Sequence, residues 1–211
     1  LALDGDGDRL IVSDERGEIV DGDHIMAICA QELLKQRKLK KKTLVATVMS
    51  NMGLEEAMQD MGGRMVRTGV GDRYVVECMR KKGYSFGGEQ SGHLVFLDHI
   101  TTGDGILAGL QLLAIMKKRK KPLSELATIM ESFPQVLKNV RMSTRVPIET
   151  IPNFLKTVEK LEQKLGKNGR ILVRPSGTEP VIRVMVEGRD NVEINAIADE
   201  LCELIRFADR S

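Results

Sequence analysis

The sequence has no tryptophan, and aromatic residues make up only 3% of it. Proteins that grip single-stranded nucleic acid stack bases on aromatic side chains, and this chain has little material for that. Cysteine is scarce too: Cys29, Cys78 and Cys202 are far apart and odd in number. No C-x-x-C pair occurs, which argues against a zinc knuckle and a disulfide framework. Each cysteine lies among apolar neighbours and reads as a small buried hydrophobe, as expected in a reducing cytoplasm. No apolar run approaches the roughly 18 residues of a membrane helix, so no membrane partner is expected. Leu1 to Arg9 is no signal peptide, because carboxylates interrupt it at once. There is no initiator Met, and the chain is expected to be part of something longer. An excess of one charge is also missing, since the net charge is +2 over 211 residues. The basic runs Lys35 to Lys42 and Lys117 to Lys121 read as solvated helix C-termini, where cations complement the helix dipole, rather than as a nucleic-acid surface.

What is present is ordered alternation. Leu10 to Val12 is a short strand. Ile25, Ile28, Cys29 and Leu33 give a helical period over 24–37. Thr43 to Val48 is a buried-type strand, Leu54 to Met61 a helix stopped by Gly62-Gly63, Met65-Val66 a strand and Tyr74 to Arg80 a helix. Strand pieces at Ser85-Phe86 and Leu94 to Leu97 flank a Gly-rich loop. Ile106 to Met116 is an apolar helix, and Pro122 opens another from its first turn. The pattern predicts a mixed α/β/α layered domain with a mostly parallel sheet. After Phe133-Pro134 it changes. A long strand over Gln135 to Arg145, a helix over Pro152 to Leu165, strands at Arg170 to Arg174 and Val181 to Glu187, and a helix over Val192 to Phe207 predict a smaller α+β domain with an antiparallel sheet.

Four loops could carry chemistry. In Asp4-Gly5-Asp6-Gly7-Asp8-Arg9, three alternate carboxylates can converge on one hard cation such as Mg²⁺, with glycines letting the backbone fold around it. An EF-hand would need Gly where Arg9 stands. In Gly88-Glu89-Gln90-Ser91-Gly92-His93, the alternating Glu89, Ser91 and His93 would face one side of an extended loop, a donor–acceptor set suited to a sugar. In Arg174-Pro175-Ser176-Gly177-Thr178-Glu179-Pro180, a guanidinium beside hydroxyls and Gly-exposed amides suits a phosphate. Thr68 to Arg73 could open a helix and offer amides to an anion.

Taken in order, with Thr47 to Asn51 and Thr102 to Gly105, these stretches resemble the α-D-phosphohexomutase family, and in their wording its bacterial phosphoglucosamine mutases. The resemblance spans nearly the whole chain. It implies that residues 1–14 are the tail of a second domain with the metal loop, 15–132 a third domain with the sugar loop, and 136–211 a fourth with the phosphate loop. It implies that Asp4, Asp6 and Asp8 hold Mg²⁺ and that Arg9 steadies the transferring phosphoryl group. Glu89, Ser91 and His93 would serve the sugar, and Arg174, Ser176, Gly177 and Thr178, assisted by Arg183, the non-reacting phosphate. The implied reaction interconverts glucosamine 6-phosphate and glucosamine 1-phosphate through a phosphoserine and a bisphosphate. No serine loop of that kind occurs in this chain, so the implied partners are the phosphorylated hexosamine and N-terminal domains ahead of Leu1, with a homodimer possible at full length. The chain alone is expected to be inactive. Two rival readings are a phosphoglucomutase/phosphomannomutase and a non-catalytic phosphosugar-binding module.

Overall fold

A computed structural model describes residues 1–144, 147–176 and 179–210. They form two compact units, Leu1–Ser132 and Phe133–Ser211.

The first unit opens with a small antiparallel sheet of β1 (Ala2–Leu3), β2 (Leu10–Ser13) and β3 (Ile19–Val20). Its main sheet contains β4 (Thr43–Thr47), β5 (Arg64–Thr68), β6 (Phe86–Gly88) and β7 (Leu94–Phe96), in the order β5-β4-β6-β7. β4 runs parallel to β5 and β6, and β7 returns antiparallel to β6. Every residue of β4 is buried, as in a strand covered on both faces. Leu44 and Ala46 face the larger core, with α1 (Gly22–Lys35), α2 (Met52–Asp60) and α4 (Gly105–Arg119). Val45 faces the other way, into a cluster with Val75 and Met79 of α3 (Asp72–Lys82). Phe86 and Phe96 stack in the larger core with ring centroids 4.5 Å apart; burying each ring contributes roughly 1.5–3 kcal/mol. The Gly62-Gly63 stop is a Schellman motif: Gly62 has φ +73°, and Gly63 N–H donates to the Met58 carbonyl at 2.8 Å.

The second unit is an antiparallel sheet of β8 (Gln135–Arg141), β9 (Gly169–Pro175) and β10 (Val181–Gly188), with β10 central. Ile182, Val184 and Val186 pack under α6 (Phe154–Leu165) and α7 (Asn191–Arg210). The second unit thus has a hydrophobic cluster of its own.

Several expected boundaries move. β8 ends at Arg141 rather than Arg145, because β10 starts only at Val181 and Met142 N–H instead meets the Pro180 carbonyl at 2.8 Å; Arg145 itself lies outside the described residues. Pro122 is the N-cap of α5 (Leu123–Ala127), not its first helical residue, since its ψ of 162° is extended. α6 begins at Phe154 because Asn153 is left-handed, φ +60°. α7 starts at Asn191, where the Asp190 carboxylate accepts the Val192 and Glu193 amides. Cys29 and Cys202 are buried as expected, but Cys78 is only half-buried. Lys117 to Arg119 do form the last turn of α4, whereas Lys40–Lys42 form a short 3-10 turn. Among the described residues no helix is long and apolar enough to cross a membrane.

Candidate functional site

The loops that follow β4, β5 and β6 all leave the same edge of the sheet, the carboxyl ends of its parallel strands, where open α/β sheets place ligands. The β6–β7 turn carries Glu89 to His93. It is tight rather than extended: Gly92 has φ +91° and its amide donates to the Glu89 carbonyl at 3.0 Å. Alternation therefore does not put Glu89, Ser91 and His93 on one side. Glu89 and Ser91 stay together, with the Ser91 hydroxyl 3.4 Å from Glu89 Oε2. His93 turns inward, and its side chain is 3% exposed.

The acidic loop meets this turn. Leu10 N–H donates to the Gly92 carbonyl at 3.0 Å, and Arg9 and His93 form a β-bridge. A side chain at Gly92 would place Cβ 2.1 Å from the Leu10 carbonyl oxygen. Asp4, Asp6 and Asp8 each offer an oxygen, all within 4.8 Å of one another. Arg9 Nε lies 3.6 Å from Asp4 and 3.7 Å from Asp8. Burial raises the Asp8 carboxyl above its ordinary pKa, and the charges of Asp6 and Asp4 add to the effect against His93 and Arg9. Desolvation opposes ionisation of Asp4 as well, yet the Arg9 amide, Asp8 and the Arg9 charge hold its pKa below the ordinary value. Asp8 Oδ1 is buried with no hydrogen-bond partner among the described residues. Three converging carboxylates with one orphaned oxygen fit a hard divalent cation with oxygen ligands.

His93 is the junction. Its Nε2 lies 3.5 Å from Asp8 Oδ2 and 4.0 Å from Asp72 Oδ2, and neither ring nitrogen has a hydrogen-bond partner among the described residues. The Gly103 backbone presses on the ring so closely that a Cβ there would lie 2.3 Å from Nε2. The Thr68 to Arg73 loop does offer an amide to an anion, but that anion is Glu89, whose Oε1 accepts Gly71 N–H at 3.0 Å.

In the second unit, Arg174 and Arg183 are directly paired across β9 and β10. Arg183 Nε is buried without a hydrogen-bond partner among the described residues. Ser176 is buried and its amide donates to the Val181 carbonyl at 2.7 Å. Gly177 and Thr178 lie outside the described residues.

Sequence reasoning missed Asp21-Gly22-Asp23. Asp21 caps α1 and accepts from His24 Nδ1 at 2.8 Å and from Gln90 Nε2 at 3.3 Å. Gly22 abuts the sugar-loop backbone, where a Cβ would lie 2.3 Å from the Glu89 carbonyl oxygen. Asp23 is fully buried and accepts the Asn51 amide at 2.8 Å, and Asn51 in turn caps α2. Burial pushes the Asp23 carboxyl up to about 7. The available signal was a second D-G-D, directly before a helical period.

Residues 21–133 match the family model described as phosphoglucomutase/phosphomannomutase, alpha/beta/alpha domain III, and residues 115–204 match that family's C-terminal domain. The chain belongs to the phosphoglucomutase/phosphomannomutase family. It is 75% identical, over its whole length, to a phosphoglucosamine mutase of Desulfotalea psychrophila, and 60% identical over 206 residues to one of Pelobacter propionicus. It covers 47% and 46% of these relatives, so it spans about half their length. Among solved structures, Aspergillus fumigatus N-acetylphosphoglucosamine mutase superposes with TM-score 0.85 at 22% identity, covering 98% of this chain and 48% of that one. A structure of the same fungal enzyme with GlcNAc-6P and magnesium gives 0.81 at 22% identity, covering 97% and 51%. At that identity the likeness is one of fold.

Proposed function

We propose that this chain supplies the metal, sugar and phosphate loops of a cytoplasmic phosphoglucosamine mutase, which interconverts glucosamine 6-phosphate and glucosamine 1-phosphate. The observation that carries the reading is the meeting of two motifs some 80 residues apart, the acidic loop and the Glu89 to His93 turn, at the Arg9–His93 bridge. In this reading residues 1–14 close a second domain, 15–132 form a third and 136–211 a fourth. A phosphoserine ahead of Leu1 in the longer protein passes its phosphoryl group to the free sugar hydroxyl. The resulting bisphosphate turns over, and the serine takes back the other phosphoryl group. Asp4, Asp6 and Asp8 would hold Mg²⁺, which neutralises charge on the transferring group when bound. Arg9 adds a guanidinium beside it, where preorganised charge lowers the barrier. Glu89 and Ser91 accept and donate hydrogen bonds to sugar hydroxyls, while the inward His93 limits water access. Arg174, Arg183, Ser176, Gly177 and Thr178 hold the non-reacting phosphate.

The longer reading also accounts for apolar surface on the first unit. Ile106, Leu110 and Leu113 form an exposed stripe on α4, and Leu1 and Leu3 beside it are exposed, which suits cover by preceding chain. The test is a chimera joining the N-terminal half of the Desulfotalea relative to this chain. It should turn over glucosamine 6-phosphate faster than glucose or mannose 6-phosphate, the chain alone should turn over none, and Asp8→Asn should cut turnover sharply. A folded chimera that is inactive on all three sugars would remove the mutase reading.

A further inference from the structure

Two carboxylates other than Glu89 approach the buried His93 ring, Asp8 and Asp72, and Asp8 converges with Asp4 and Asp6 as a cation cage. Glu89 is engaged by the Gly71 amide and the Ser91 hydroxyl. The other is Asp72. It opens α3, and its side chain is 59% exposed. Among the described residues its Oδ1 accepts one hydrogen bond, from the amide of the next residue, Arg73, at 2.7 Å, and its Oδ2 points toward His93 Nε2 at 4.0 Å. The nearest cation in sequence is already used, because Arg73 Nε is 2.8 Å from Glu77 Oε1. Among the described residues the one ion-pair partner of Asp72 is His93, so no lysine or arginine pairs with this carboxylate at the wall of the proposed sugar site. The Gly71 amide ties its loop directly to Glu89. Beside it lies His93, nine-tenths buried and with neither ring nitrogen hydrogen-bonded among the described residues, a second sign that a polar ligand belongs there.

We infer that Asp72 is the specificity-determining residue of the sugar site and pairs with the ammonium group of a 2-amino sugar phosphate. The inference rests on the proposal that this face holds the sugar, and it adds how an aminosugar is told from its hydroxyl counterpart. A hydroxyl at the same carbon gives the Asp72 carboxylate a hydrogen bond in which only the acceptor is charged, whereas an ammonium charges both partners and adds the attraction of an ion pair. Glu89 cannot make the distinction alone, because every hexose phosphate presents hydroxyls to it. An acetylated amine loses the charge and gains bulk, so it should bind no better than the hydroxyl sugar.

The experiment titrates the 211-residue chain, followed by amide shifts of Gly71, Asp72 and His93, with glucosamine 6-phosphate, glucose 6-phosphate and N-acetylglucosamine 6-phosphate. Glucosamine 6-phosphate should bind about tenfold tighter than the other two, the ratio that roughly 1.4 kcal/mol of extra hydrogen-bond strength produces. Asp72→Asn should collapse that ratio to near one, and Asp72→Glu should keep part of it. Equal affinities in the parent chain, an equal loss for all three ligands in Asp72→Asn, or no binding of any of them overturns the assignment. Turnover by the chimera decides the mutase reading separately, so the two can fail independently.

Discussion

Asp23 and Gly22 act on the site without touching its open face. The ordinary pKa of Asp23 is 3.8 and its folded value is about 7, so the folded state holds this proton more tightly than the unfolded chain does. The resulting stability is present below pH 4 and fades as pH rises through 7, where the buried carboxylate must ionise. Asp23→Asn keeps an acceptor for the Asn51 amide and removes the charge. Urea melts should show the variant close to the parent at pH 4 and more stable at pH 8, by up to about 4 kcal/mol. An unchanged difference across that range would disprove the account. Gly22→Ala should cost about 1–3 kcal/mol, because the added methyl meets backbone rather than a movable side chain. Its thermal midpoint should fall, and amide shifts at Glu89 to Gly92 should move with it. Gly22 was not legible in the sequence, since the atoms it must avoid belong to a loop far along the chain. Glu89, Ser91 and His93 were legible as residue types, but their directions were not, because Gly92 turns the backbone where alternation assumes an extended one.

Between elements, α1 and α4 are clasped by Glu32. Its side chain is 7% exposed and accepts Lys118 Nζ at 2.6 Å and Arg119 Nη2 at 2.7 Å. Desolvation alone would raise its pKa, but Lys118, Gln36 and Arg119 outweigh burial and hold it at about 2, against an ordinary 4.5. A depressed carboxylate contributes stability above its unfolded value, here about pH 4.5, and loses it as pH falls through 2. The contribution at neutral pH is about 3 kcal/mol. Glu32→Gln should therefore flatten the acid limb of the stability curve between pH 4.5 and 2, and should separate from the parent most at neutral pH. Parallel acid limbs in the two proteins would contradict the clasp. The helices were legible because a buried face repeats every three to four residues, and β4 because it is a run of buried residues. β1 and β3 were not, since two residues show no period. The end of β8 depended on where its partner strand starts, which local pattern does not record.

At the scale of the molecule, each unit has an interior of its own. The second is built on Ile182, Val184, Val186, Phe154 and Leu201, all essentially buried. Residues 133–211 expressed alone should give a cooperative thermal transition, and Ile182→Ala should lower that transition by about 2–5 kcal/mol while leaving the transition of residues 1–132 in place. A gradual, non-cooperative melt of the separate unit would refute this. The same separation has an evolutionary consequence. Since each unit has a hydrophobic cluster of its own, a recombination event between codons 132 and 133 would interrupt neither interior. Related genes could exchange whole units at that junction with each unit's own interior kept intact.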